Sequence, residues 1–201
     1  RPDRRVQDPA SAMPVRATQG LHVDLAIDYC AGRGTKTKQL AAVHPQARVI
    51  ATDTHADRLT DLAREFADHP RVEVWPPQRV QETFRTRNAV RADLVLLDVP
   101  CSNTGVLARR PEARYRLTEA GLDRLVALQR QILDDARPWV ATGGCILYST
   151  CSVEPAENQR QCEAACRRLD LKMQGQQSVL PSGHGPNYRD GSYLALMRAP
   201  R

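Results

Sequence analysis

Short apolar runs alternate with stretches of helical period along nearly the whole chain, and this alternation restricts the fold more than any other feature. Residues 21–29 (LHVDLAIDY), 47–52 (ARVIAT), 71–75, 92–97 (ADLVLL), 145–149, 169–174 and 192–198 read as strands. Residues 35–43, 54–68, about 118–140 and the stretch after Pro155 read as helices. Thr54 with Asp57 is expected to cap the second helix. Leu122, Leu125, Val126, Leu128, Ile132 and Leu133 form the expected buried side of the third. Pro76-Pro77 should stop the third strand, and Gly143-Gly144 should mark the entrance to the fifth. Units ordered in this way call for an α/β fold with a mostly parallel sheet covered by helices on both faces. In such sheets ligands bind beyond the carboxyl ends of the strands.

The size of the chain, 201 residues, fits one domain over 1–201, with 1–20 as a lead-in segment. A hydrophobic content of 41% supplies one core, since a chain of this size buries roughly 70% of its unfolded surface. Lys and Arg exceed Asp and Glu by 29 − 23 = 6, which excludes an acidic disordered chain and falls short of a histone-like tail. Aromatics, at 4%, are too few for a stacking platform to be the main device for nucleic acid. No apolar stretch approaches the roughly 20 residues of a membrane helix, and nothing at the start reads as a signal peptide. A cytoplasmic monomer without membrane or metal partners is the expectation. The start at Arg1 rather than Met reads as a trimmed or fragmentary terminus.

Every unusual cluster falls at the carboxyl end of a strand: 30–36, Asp53, 98–102 and 150–152. The run Cys30-Ala31-Gly32-Arg33-Gly34-Thr35-Lys36-Thr37 has glycines that let backbone approach a ligand, followed by a helix N-terminus. It is neither a Walker A loop nor a full G-x-G-x-x-G, and an ordinary tight turn would read the same. Asp53, about 20 residues further on, is where nucleotide-binding sheets grip two ribose hydroxyls. As an alternative it would only stabilise the dipole of the next helix.

The six cysteines do not form a disulfide framework, because the chain is too long and regular to need one. Nor do they make a zinc site, since no Cys-x-x-Cys pair occurs. Cys145, Cys162 and Cys166 read as small core hydrophobes. Asp98 closes a strongly apolar strand, where a carboxylate without a partner is costly. Pro100 then turns the chain outward and leaves Cys101 facing the expected cleft. Thr150-Cys151-Ser152 closes the neighbouring strand in the same manner, bringing two thiols to one rim.

These residues resemble the catalytic domain of the Fmu/Sun family of RNA (cytosine-5)-methyltransferases, almost end to end. The matching segments are Gln7-Asp8-Pro9-Ala10-Ser11, the loop from Asp28 to Thr37, and Asp98-Val99-Pro100-Cys101-Ser102-Asn103-Thr104-Gly105 with Arg109-Arg110-Pro111-Glu112. Tyr148-Ser149-Thr150-Cys151-Ser152-Val153-Glu154-Pro155 with Glu157-Asn158, and Asp190-Gly191-Ser192-Tyr193, complete the set. The resemblance implies a Rossmann-like class I fold dependent on S-adenosylmethionine, with a seven-stranded sheet whose last strand is antiparallel. It implies that Cys151 attacks carbon 6 of cytosine, that Cys101 assists release, and that Asp98 contacts the base with Lys36 orienting it. A cation beside a thiol also lowers its pKa. Cofactor contacts are implied for Cys30, Ala31, Gly32, Arg33, Gly34, Thr35, Lys36, Asp53, Arg58 and Asp98.

Two departures stand out. The family has a Gly-Asp pair after the third strand for the adenine amine, whereas this chain reads Val74-Trp75-Pro76-Pro77-Gln78. Backbone near Pro77 or the Gln78 amide is left to meet adenine. Arg33 stands where the family has proline in the cofactor loop. RNA, ribosomal ahead of transfer, is the expected partner, with Arg109, Arg110, Arg114 and Arg116 as the phosphate-binding cluster.

Two other readings compete. A DNA cytosine-5 methyltransferase would use Cys101 as its Pro-Cys nucleophile but would lack Thr-Cys-Ser at Cys151. A non-catalytic RNA-binding or assembly factor would keep the fold without the cofactor, as the missing adenine acid allows.

Overall fold

The computed structural model describes residues 7–85 and 90–201. The first six residues of the lead-in lie outside this range. Among the described residues seven strands form one sheet: β1 (Leu25–Asp28), β2 (Arg48–Ala51), β3 (Val72–Val74), β4 (Ala92–Asp98), β5 (Val140–Thr150), β6 (Lys172–Val179) and β7 (Ser192–Arg198). Their order is β3-β2-β1-β4-β5-β7-β6. The pairs β1–β2, β1–β4, β2–β3 and β4–β5 are parallel, and β7 runs antiparallel to both of its neighbours. The expected parallel sheet with an antiparallel last strand is therefore present.

Among the described residues there are seven α-helices: α1 (Pro9–Arg16), α2 (Thr35–Val43), α3 (Ala56–Glu65), α4 (Pro77–Arg85), α5 (Ala113–Arg116), α6 (Glu119–Ala136) and α7 (Gln159–Arg168). On one face Val15, Leu40, Leu62 and Phe66 pack on Ala26, Val49, Leu94 and Leu147. On the other, Val80, Phe84, Leu133, Trp139 and Cys162 pack on Ile27, Val95, Leu97 and Ile146. The central strands are buried on both faces, which is why they read as continuous apolar runs. Cys145 and Cys162 are buried and Cys166 packs against the core, as expected of small hydrophobes. No helix among the described residues is long and apolar enough to cross a membrane.

Several elements differ from expectation for local reasons. Part of the lead-in is helix α1, started by Pro9 and capped by Asp8, whose Oδ1 accepts from Ala10 N at 2.8 Å. The first strand begins only at Leu25, because the Asp93 carboxylate takes the amides of Asp24 and Leu25. Thr54 and Asp57 do not cap α3; instead Asp53 Oδ1 accepts from His55 N at 2.9 Å. Pro76-Pro77 does stop β3, but proline also suits a helix start, and α4 begins there and buries Val80 and Phe84.

The long helix ends at Ala136, because Pro138 has no N–H to continue it, and a 3₁₀ turn (Arg137–Trp139) follows. Gly143-Gly144 lies inside β5 at a register shift against β4, so the pair marks a bulge rather than a strand start. The apolar stripe of α6 is only partly covered. Ile132 and Leu133 are buried, Leu122, Leu125 and Val126 are half-buried, and Leu128 is exposed. Strand β6 begins three residues later than expected and lies at the sheet edge.

Candidate active site

Strand order reverses between β1 and β4, the point at which open α/β sheets form a crevice. Register pairs Asp28 with Leu96, and Asp98 with Ser149. The loops leaving β1, β4 and β5 therefore sit side by side, around a cleft of about 1060 Å³.

Two thiols meet there. Cys101 Sγ is 3.3 Å from Cys151 Sγ across 50 residues of sequence. Cys151 is half-buried and Cys101 buried. As a thiol, Cys151 donates to Asn103 Oδ1 at 3.1 Å, while Asn103 Nδ2 donates to the Cys101 carbonyl at 2.9 Å. The hydrogen bond from Cys101 pulls the Cys151 thiol below its ordinary range, overcoming burial, with Lys36 and Arg110 pulling the same way. That bond, together with burial, pushes Cys101 well up. When the pair carries one charge, the charge belongs on Cys151.

Beside the thiols Lys36 Nζ donates to Asp98 Oδ2 at 2.7 Å, and Ser149 Oγ to Asp98 Oδ1 at 2.7 Å. Both oxygens of the strand-end carboxylate thus have partners, which answers the cost of placing it on β4.

The loop after β1 is held by its backbone. Ala31 N donates to the Thr52 carbonyl, Gly34 N to the Ala31 carbonyl, and Gly32 N to Asp53 Oδ2 at 2.9 Å. Gly34 has φ +77°, and a Cβ there would lie 2.6 Å from Phe66 Cε2. Gly32 faces open space, with no atom within 4 Å of where a Cβ would stand. Below the loop Asp28 is fully buried, and burial raises its pKa to about 7 despite the hydrogen bond from Thr37.

Among the residues expected to hold a cofactor, Cys30, Ala31, Gly32, Arg33, Thr35, Lys36, Asp53, Arg58 and Asp98 all line the cleft. Gly34 does not line it and acts by shaping the loop. Pro77 and Gln78 are likewise absent from the lining. As α4 starts at Pro77, the wall is formed one turn later by Gln81, which donates to Tyr29 Oη at 3.2 Å.

The arginine cluster also divides. Arg109 is engaged by Asp190 and by Asp8, the latter at 3.3 Å, so it ties α1 to the loop before β7. Arg109 and Arg110 both line the cleft, and Arg110 also lines a second cavity of about 170 Å³ that Arg116 shares. Arg114 lies over the exposed Tyr115 ring.

A sequence model of the family described as 16S rRNA methyltransferase RsmB/F matches residues 19–194. The chain belongs to that family. Similar relatives include "Ribosomal RNA small subunit methyltransferase B" of Cronobacter sakazakii, 32% identical over 96% of this chain and 46% of the relative. The protein of the same name from Erwinia tasmaniensis is 37% identical over 85% of this chain and 41% of its own length. This chain spans less than half the length of either. Among solved structures, PH0851 superposes with a TM-score of 0.76 at 26% identity, covering 96% of this chain and 46% of that one. NSun6 from Pyrococcus horikoshii with SFG gives 0.77 at 23%, covering 97% and 53%, a likeness of fold. The Rossmann-like methyltransferase fold expected from the sequence is therefore present.

In this RsmB/F chain, sequence reasoning missed several residues around the thiols. Asn103 and Ser149, which bond Cys151 and Asp98, lie within the matching motifs, but only coordinates reveal their partners. Gly105 and Gly191 are close-approach positions: a Cβ on Gly105 would lie 2.7 Å from the Cys151 carbonyl and 2.8 Å from that of Gly191. Their backbones bond one another and Cys151, through Gly105 N to the Cys151 carbonyl and Gly191 N to the Gly105 carbonyl. These contacts bring the segments containing residues 105, 151 and 191 together at the cleft.

Proposed function

We propose that this chain methylates carbon 5 of a cytosine in small-subunit ribosomal RNA, using S-adenosylmethionine, with Cys151 as the attacking thiol. The observation that carries this reading is the Cys101–Cys151 contact of 3.3 Å beside the Lys36–Asp98 pair. The names of the relatives support the choice of RNA.

The residues present fit the cofactor. Gly32 opens its Cβ side to free space, the Asp53 carboxylate stands beside it, and the cleft volume matches a small-molecule site. Cys30, Ala31, Gly32, Arg33, Asp53 and Arg58 would hold it, with the Gln81 carboxamide at the wall where an acid is missing. When bound, S-adenosylmethionine would supply an electrophilic methyl group on a sulfonium.

Carbon 5 of cytosine is a weak nucleophile. Addition of the Cys151 thiolate to carbon 6 shifts electron density onto carbon 5. Asp98, oriented by Lys36 and Ser149, would accept from the exocyclic amine and from ring nitrogen 3, which takes up a proton from solvent as the thiolate adds and so leaves the adduct neutral. Once its sulfur is bonded to carbon, Cys151 carries no charge, and the repulsion that kept Cys101 protonated is gone. Cys101 can then lose its proton to solvent in the cleft and, as a thiolate, take the carbon-5 proton; those electrons form the C5=C6 bond as the C6–S bond breaks, Cys151 leaves as a thiolate and nitrogen 3 returns its proton to solvent. Arg110 and Arg116 would bind phosphates around a base turned out of its stack.

The test is trapping of the covalent intermediate. Cys101→Ala should accumulate a denaturant-resistant protein–RNA adduct, and Cys151→Ala should form neither adduct nor methylated product. Full methylation by Cys151→Ala would overturn the reading. Calorimetry with S-adenosylmethionine separates it from an RNA-binding factor, which would release no heat at millimolar ligand.

A further inference from the structure

The Glu157-Asn158 pair has no part in the mechanism above, yet it holds both cysteine loops. Glu157 is fully buried between β5 and α7. Its Oε1 accepts from Ser102 N and from Gln129 Nε2, each at 2.9 Å, and its Oε2 accepts from Ser102 Oγ at 2.5 Å. Ser102 directly follows Cys101. Its Oγ also lies 3.1 Å from Ser152 Oγ, directly after Cys151. Asn158 grips the other loop: Thr150 Oγ1 donates to its Oδ1 at 2.6 Å, and its Nδ2 donates to the Ser152 carbonyl at 2.9 Å. Gln129 further ties α6 to the Pro100 carbonyl through the same amide nitrogen.

Among the described residues, no cation lies within salt-bridge distance of Glu157. A carboxylate buried on neutral donors alone is an expensive choice if packing were its only purpose, since a neutral isostere could fill the space. Its charge stands on the Cys101 side of the thiol pair. The groups facing Cys151 are Lys36 from α2, Asp98 from β4, Arg110 from the following loop and Cys101 itself. Those facing Cys101 are Cys151 and Glu157, with the Tyr148 hydroxyl nearby on the Glu157 carbonyl. The cations Lys36 and Arg110 face Cys151 together with the Asp98 carboxylate, whereas the buried Glu157 carboxylate faces Cys101.

We propose that Glu157 is a positioning residue for the thiol pair: its carboxylate fixes the Cys101 loop against the Cys151 loop, and its charge adds to the preference for the thiolate at Cys151. The proposal rests on the reading of Cys151 as the attacking thiol and adds a group that reinforces the inequality their mutual hydrogen bond and burial establish.

Selective alkylation tests it without RNA or cofactor. The reduced full chain is pulsed with iodoacetamide across a pH series, and the Cys101 and Cys151 peptides are quantified by mass spectrometry. In the native protein Cys151 should react at least about tenfold faster than Cys101 near neutral pH, the ratio given by one pKa unit. In Glu157→Gln, which keeps the shape and removes the charge, the ratio should fall by about two- to threefold from the native value. Ser102→Ala, which retains the charge and the backbone bond, should keep the native ratio. A folded Glu157→Gln protein with the native ratio, or loss of the ratio in Ser102→Ala, overturns the proposal. A second arm covers failure of Glu157→Gln to fold. In Glu157→Asp, which keeps the charge on a shorter side chain, Cys151 should stay at least about threefold ahead of Cys101, and equal rates in that folded variant overturn the proposal. Adduct trapping decides the catalytic reading separately, so either claim can fail alone.

Discussion

Lys36 Nζ donates to Asp98 Oδ2 at 2.7 Å, joining the first turn of α2 to the last residue of β4 across 62 positions of sequence. Burial opposes the charge on this ammonium, but Asp98, Cys151 and Asp28 together push its pKa upward, so it stays a cation. It thereby serves two groups at once, orienting the Asp98 carboxylate and lowering the Cys151 thiol. Lys36→Met should slow alkylation of Cys151 at pH 7 by about three- to tenfold. It should also reduce methyl transfer by about 10²-fold, as expected when one polar group of a catalytic set is lost. Unchanged alkylation in a folded variant would refute the electrostatic link.

Gly34 should tolerate no side chain. Its φ of +77° is left-handed, and a Cβ would meet Phe66 at 2.6 Å and Leu62 at 2.9 Å. Overpacking and backbone strain together predict a loss of about 2–4 kcal/mol for Gly34→Ala. Gly32→Ala shares the positive φ but meets open space, so its loss should be nearer 1 kcal/mol. Urea unfolding of the two variants checks the order; equal losses would contradict it.

Asp28 gives stability a pH dependence of definite sign. Its folded pKa is raised from 3.8 to about 7 by burial. Between those values the unfolded chain releases the proton while the folded chain keeps it, so this group makes stability fall as pH rises through that window. The penalty is absent below about pH 4 and complete above about pH 7. Asp28→Asn mimics the protonated acid, so its stability relative to the native protein should improve by about 1–3 kcal/mol between pH 4 and pH 8. Denaturant titrations at the two pH values measure this, and parallel profiles for the two proteins would sink it.

Arg109 and Arg110 are neighbours with different tasks. Arg109→Ala leaves the buried carboxylates of Asp8 and Asp190 without their cation, so it should cost stability by about 1–3 kcal/mol. It should leave the salt dependence of RNA binding unchanged. Arg110→Ala should keep stability but reduce the slope of log affinity against log salt by about one. Filter binding at several salt concentrations distinguishes the two, and the opposite assignment would show that the cluster does not divide this way.

The fold and the cleft are largely legible in the sequence. Strand burial on both faces writes continuous apolar runs, and polar residues at the ends of such runs are costly unless they face a cleft or a partner. The runs at 47–52 and 92–97 form β2 and β4, and of the clusters at 30–36, 53, 98–102 and 150–152 all but Gly34, Ser102 and Ser152 line one cleft. Helix α4 is hidden behind Pro76-Pro77, since proline stops a strand and starts a helix with the same residue. The Gly143-Gly144 bulge is hidden for a related reason: a glycine pair looks alike before a strand and inside one.

Local pattern, then, determined the order of elements and the types of residue available at each strand end, because both depend on a few neighbours along the chain. Only the tertiary structure decided which atoms touch. The 3.3 Å between Cys101 and Cys151, the removal of Arg109 from the free cations and the grip of Glu157 on Ser102 all join segments tens of residues apart. Such contacts depend on strand register and on the close approach of loops at glycines 105 and 191. Those are properties of the packed chain, and no window of sequence contains them.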